Sequence, residues 1–165
     1  MATQMQSPDA LFLFELAYMH AFEQTNVQTL ERLLQEVADE EAKRPLRHHL
    51  EETREQVQLL EEIFQTLGEQ PQKVTVHAAQ GLTQDHDAFA RMQPSPAVLT
   101  LFDLGAAAKV EHLEVACYTG LVAKAQAMGQ AQVAGILQRI LQQEQDAVQE
   151  IEAAATLLTQ QAATA

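Results

Sequence analysis

The sequence has no tryptophan, two tyrosines and a single cysteine in 165 residues, with only five prolines and six glycines. Each scarcity excludes something. Aromatic residues make up 5% of the chain, and the β-branched and aromatic residues that suit strands are sparse, which argues against an all-β or doubly wound fold. A lone cysteine, Cys117, leaves no internal disulfide framework and no multi-cysteine zinc site, and it reads as a packed thiol. Basic residues number 10 against 23 acidic ones, a formal charge of −13, so the basic stripe that gains counterion release on nucleic acid is missing. No apolar run approaches the ~20 residues of a membrane span. The early apolar stretch Leu11–Phe14 lacks a basic flank and meets Glu15 at once, so the expectation is a cytoplasmic chain without a signal peptide.

What is present is helix-forming. Hydrophobic residues are 47% of the chain, and Ala, Leu, Gln and Glu dominate. Ser7-Pro8-Asp9 marks a helix start, with Ser as N-cap, Pro in the first turn and an acid behind it. From there Phe12, Leu16, Met19, Val27, Leu30 and Leu34 recur at helical spacing to about residue 37. A second segment, about 40–67, carries Leu46, Leu50, Val57, Leu60 and Phe64. A third starts at Pro94-Ser95-Pro96 and ends at Gly129, and a fourth runs from about 131 to 160. About 28 residues separate the second and third segments, too many for a bare loop, and Val74 to Met92 can form a shorter helix. The reading is all-α: one ferritin-like antiparallel four-helix bundle over 8–160, with a long crossover carrying a short extra helix, and flexible termini at 1–7 and 161–165.

Several acids sit on the apolar stripes. Glu23 follows Phe12, Leu16 and Met19, and Glu144 lies between Leu141 and Val148. Leu104, Ala107, Glu111, Glu114, Tyr118 and Leu121 place two acids on one inward face, while Glu52 shares the edge of its stripe with His49 and Gln56. An ionised carboxylate in a low-dielectric core costs several kcal/mol unless it is protonated, paired or bound to a cation. Lys109 and Arg139 are the only basic candidates near them. Periodicity alone weighs a solvated or edge position evenly against a shared metal site. By the same spacing, His49 and His112 read as hydrogen-bonded core or edge histidines ahead of ligands. Tyr118 reads as a core aromatic reaching a carboxylate such as Glu114, and Asp85-His86-Asp87 as a solvated helix surface.

At these residues the chain resembles the YciE/YciF-type ferritin-like stress proteins. The likeness lies in His49-Leu50-Glu51-Glu52-Thr53 with Gln56, in Lys109-Val110-Glu111-His112-Leu113-Glu114 with Tyr118, and in Gly129 with Ala134, Leu137 and Glu144. It covers about residues 10–155. The resemblance implies a rubrerythrin-like centre of two Fe or Mn ions, usually in a homodimer, with Glu23, Glu52, Glu111, Glu114 and Glu144 as the matching carboxylates and His49 beside them. Glu55 stands where similar sites carry a histidine, Val148 where they carry an acid, and Gln84 and Asp85 where the crossover carries two acids.

Two functions compete. One is a metal-handling or oxidoreductase centre acting on dioxygen or peroxide, as ferroxidase or peroxidase-like chemistry, since an all-oxygen shell suits Fe or Mn over soft-ligand metals. The other is a non-enzymatic helical dimer whose site is degenerate or vacant. Neither needs nucleic acid or membrane as a partner.

Overall fold

The structure is a computed structural model that describes residues 5–164, and every element in it is helical. The order is α1 (Pro8–Glu36), α2 (Glu40–Leu67), α3 (His77–Ala90), α4 (Pro96–Ala127) and α5 (Ala131–Thr164). The punctuation acts locally. Ser7 Oγ accepts from the Ala10 N–H at 3.1 Å, Asp39 Oδ1 from Ala42 N–H at 3.0 Å, and Ser95 Oγ from Val98 N–H at 3.4 Å. Gly68 and Gly129 end α2 and α4 at φ of 69° and 71°, a left-handed turn that costs glycine nothing. Pro45 sits within the first two turns of α2, where few intrahelical donors are lost.

Pairing across helices fixes the topology. Arg54 meets Glu31 while His20 meets Glu61, so α1 and α2 are antiparallel. Arg139 meets Glu55 while His48 meets Glu150, so α2 and α5 are antiparallel too. Asn26 meets Glu114 and Glu23 meets Tyr118 between α1 and α4. Four long helices therefore form the ferritin-like bundle, with α2 and α4 parallel across its diagonal. α3, inside the expected Val74–Met92 stretch, rides in the crossover against α4 and α1. α5 continues to Thr164, past the expected end near 160. Of the expected flexible termini, residues 1–4 and 165 lie outside the described residues.

The core is split in two. At one end Phe12, Leu16, Met19 and Phe22 pack on Leu60, Ile63, Phe64, Leu121, Leu137 and Ile140. At the other, Leu30 and Leu33 pack on Leu46, Leu50, Leu104 and Ile151. Each large apolar side chain contributes about 1.5–3 kcal/mol on burial. Between the two halves, every long helix contributes buried polar residues at the same level: Glu23 and Asn26, then His49, Thr53 and Gln56, then Glu111 and Glu114, then Glu144. The apolar ends hold this polar layer in place.

Candidate metal centre

His49 of α2, Glu111 and Glu114 of α4, and Glu144 of α5 each bring one ligand-type atom within 4.8 Å of the others, and all four residues are buried. Glu23 closes the layer from α1 with no exposed surface. Its Oε1 accepts from the Tyr118 hydroxyl, and the Glu114 carboxyl lies beside it. Asn26 Nδ2 donates to Glu114 Oε1 at 3.3 Å. His49 Nε2 stands 3.1 Å from Glu111 Oε2, and Thr53 Oγ1 donates to the His49 carbonyl at 2.8 Å.

These neighbours do not satisfy the acids. Glu23 Oε2, Glu111 Oε2, Glu114 Oε2, both Glu144 oxygens and His49 Nδ1 are buried without a hydrogen-bond partner. None of the four acids has a Lys or Arg ion pair among the described residues. Lys109 lies 6.0 Å over the Phe102 ring, and Arg139 is on the surface with Glu55.

The electrostatics follow. Burial raises Glu23 from 4.5 to about 7, against the opposing Tyr118 hydrogen bond. Burial also lifts Glu114 and Glu144 well above the carboxylate range, and neighbouring carboxylates, Glu23 first among them, lift both further. For His49, burial favours the neutral ring, but Glu111, Glu23 and Glu52 together outweigh it and raise its pKa. Burial and the Glu23 charge push Tyr118 well up, so its hydroxyl keeps its proton and donates. Buried lone pairs with raised proton affinity have the chemistry to hold a metal ion, which would replace the protons that burial otherwise demands.

The expected ligands divide. Glu23, His49, Glu111, Glu114 and Glu144 converge. Glu52 lies half-buried at the rim, 3.8 Å from His48, with its pKa raised by burial. Glu55 turns outward, accepting from Arg139 at 2.6 Å and from Gln143 at 2.8 Å. His112 is an exposed partner of Glu152 at 2.9 Å, neither core nor edge. Tyr118 reaches Glu23, not Glu114, because the contact crosses helices where its own helix offers Glu114 one turn away.

Three supports have no role assigned from the sequence: Asn26, which is not singled out there, and Thr53 and Gln56, which stand out only beside His49 and Glu52. Asn26 lies three residues after Glu23 on the same face, a spacing that would have found it. Thr53, one turn after His49, would have been found in the same way. Gln56 donates to Gln143 at 3.3 Å, a cross-helix contact with no local signal. His86 is also buried, contrary to the solvated-surface reading, with Nδ1 2.8 Å from Asp103 Oδ1.

Known proteins share this frame. YciF of Escherichia coli K12 is 23% identical over 141 residues, covering 85% of each chain. The crystal structure of that stress protein superposes with a TM-score of 0.89 at 22% identity, covering 94% of this chain and 99% of the other. YcfI of Rhodopseudomonas palustris, proposed to be a structural protein, superposes with a TM-score of 0.87 at 28% identity, covering 92% and 97%. Residues 7–164 match the family described as a domain of unknown function, DUF892. The chain belongs to that family, as a member of the YciE/YciF type.

Proposed function

We propose that the polar layer is a dinuclear Fe or Mn centre and that the protein handles metal and a small oxidant, dioxygen or peroxide, under stress. One observation carries this: five carboxylate oxygens on Glu23, Glu111, Glu114 and Glu144 are buried without hydrogen-bond partners, and His49 beside Glu111 is the one basic side chain among the described residues that faces the four acids. The donor set fits the group, being oxygen-rich with one imidazole. Glu23, Glu111, Glu114, Glu144 and His49 would hold the metals, with Glu52 at the rim able to join by rotating inward. Bound Fe or Mn would supply one-electron chemistry toward the oxidant. The chain's own part is positional. Tyr118 orients Glu23 by its hydroxyl proton, Asn26 fixes one oxygen of Glu114, and the apolar halves of the core keep bulk water out.

The test is elemental analysis of protein purified without chelators. About two Fe or Mn per chain is the expected content, and Glu23→Ala combined with Glu144→Ala removes it. A fully helical protein that takes up none of either metal refutes the centre.

A second reading has its own observation. Glu55, at the position where similar sites place a histidine, is committed to Arg139 and Gln143 on the outside. A site short of that ligand would leave the protein a non-enzymatic helical dimer with protonated acids in its core. Acid-dependent stability in place of metal-dependent stability identifies it.

A further inference from the structure

Of the neighbouring helix pairs in the bundle, α1 and α4 touch least, and α3 lies across their seam. A cavity of about 50 Å³ fills the space beneath α3. Its walls are mainly hydrocarbon: Leu30 and Leu33 of α1, Ala79 and Leu82 of α3, and Ala107 and Val110 of α4. It reaches Glu111, a member of the cluster, and Asn26, the donor to Glu114. Toward the other end of α1 it is bounded by Arg32, His86 and Asp103.

We propose that this cavity is the path by which a small, uncharged, apolar molecule of dioxygen size reaches the carboxylate cluster, with α3 as the outer wall. The proposal rests on the metal reading above and names its oxidant. Size is the first argument. A dry cavity of about 150 Å³ admits benzene, and about one-third of that volume leaves room for a diatomic gas or one xenon atom but not a ring. Lining is the second. Hydrogen peroxide would surrender hydrogen bonds to water against these walls and regain few, whereas dioxygen has none to lose. An anion is disfavoured by the same walls and by a chain of charge −13. Attachment is the third. His86 is the only buried residue of α3, its Nδ1 2.8 Å from Asp103 Oδ1 and its Nε2 3.3 Å from Glu36 Oε2. The polar attachments of the wall are thus gathered at one end, at His86 and at Asp87, 3.7 Å from Arg32, while Ala79 and Leu82 remain half-exposed above the cavity.

The experiment uses the full chain in two states. In metal-free protein, xenon titration followed by methyl NMR moves Leu30, Leu33, Leu82 and Val110 and leaves Leu137 unmoved. Ala79→Leu fills the space and lowers xenon affinity by about tenfold or more. In the Fe(II)-loaded chain, the same variant slows oxidation of the iron by dissolved dioxygen to a similar degree, with iron content per chain unchanged. Leu82→Phe replaces it if Ala79→Leu loses helicity. Xenon that moves none of these methyls overturns the path, as does dioxygen reactivity unchanged in a variant that has lost xenon. A variant that loses iron along with xenon makes the wall a support of the cluster and overturns it as a path. Xenon binding in a chain that takes up no metal overturns the metal reading and the route together, while the cavity stands.

Discussion

Buried acid occurs in two places, and the two are resolved differently. Under α3, Asp103 has His86 at 2.8 Å, and His86 in turn meets Glu36, while Arg32 lies 3.7 Å from both Glu36 and Asp87. In the central layer Glu23, Glu111, Glu114 and Glu144 share one histidine and no Lys or Arg ion pair among the described residues. Burial raises the Asp103 pKa as well, but its His86 hydrogen bond opposes the shift. For Glu114 each cause pushes upward. The contrast lies in the ratio of acids to bases: Asp103 keeps one unpartnered oxygen, Oδ2, but has a histidine to itself, whereas four acids share His49 in the central layer.

The sharpest way to break this contrast is to remove one acid from each place. Asp103→Leu strands His86 and destabilises the fold by about 3 kcal/mol, the cost of breaking a buried pair. Glu144→Met, by contrast, removes an uncompensated acid and stabilises the metal-free protein by about 1–2 kcal/mol. Denaturant melts of metal-free protein compare the two, and equal signs would erase the distinction.

Metal comes next. Fe(II) or Mn(II) at roughly a hundredfold excess over Kd adds about 2.7 kcal/mol, or about 5–10 °C in Tm. Glu23→Ala with Glu144→Ala abolishes that gain in calorimetry, and Asp103→Asn leaves it intact.

Acidity separates the places in solution. The folded Glu23 carboxyl titrates at about 7 against an ordinary 4.5, so the folded state holds a proton that the unfolded state has released. Its stabilising contribution is complete below the ordinary carboxylate pKa and is lost as pH rises through the folded value. Metal-free melts consequently fall from about pH 5 to pH 8, and Glu23→Gln flattens that slope. The metal-loaded protein responds in the opposite sense, because protons compete with the ion for the same oxygens.

The smallest effect belongs to Glu55. Glu55→Ala removes an exposed pair with Arg139, costs under about 1 kcal/mol, and leaves metal content unchanged by elemental analysis.

The legibility of the sequence follows the range of the interactions. Helix ends at Ser7-Pro8, Gly68 and Gly129 depend on residues within a turn of one another, and the chain reads them out directly. Glu23 and Glu144 stood out because each interrupts a 3.6-residue apolar stripe, a signal that survives without knowledge of the neighbouring helices. The rest depends on register between helices. Tyr118 has Glu114 one turn away on its own helix, yet α1 delivers Glu23 to its hydroxyl. Glu55 follows Glu52 by three residues, but the small rotation between them swings it onto α5 and Arg139. His86 sits between two exposed aspartates on a 14-residue helix, and its partner Asp103 is 17 positions away. No local pattern encodes that distance.

The long connection through α3 has a consequence for how the molecule comes together. It divides the chain into two helical hairpins, α1–α2 and α4–α5, each closed by a short turn. Such hairpins gather local contacts and form early, whereas contacts across a long connection form late. Glu23 and His49 belong to the first hairpin, Glu111, Glu114 and Glu144 to the second. The carboxylate layer is therefore a docking seam, written half on each hairpin and legible only after they meet. A metal ion bound there, as proposed, would tie the two hairpins together like a rivet set after the plates are aligned.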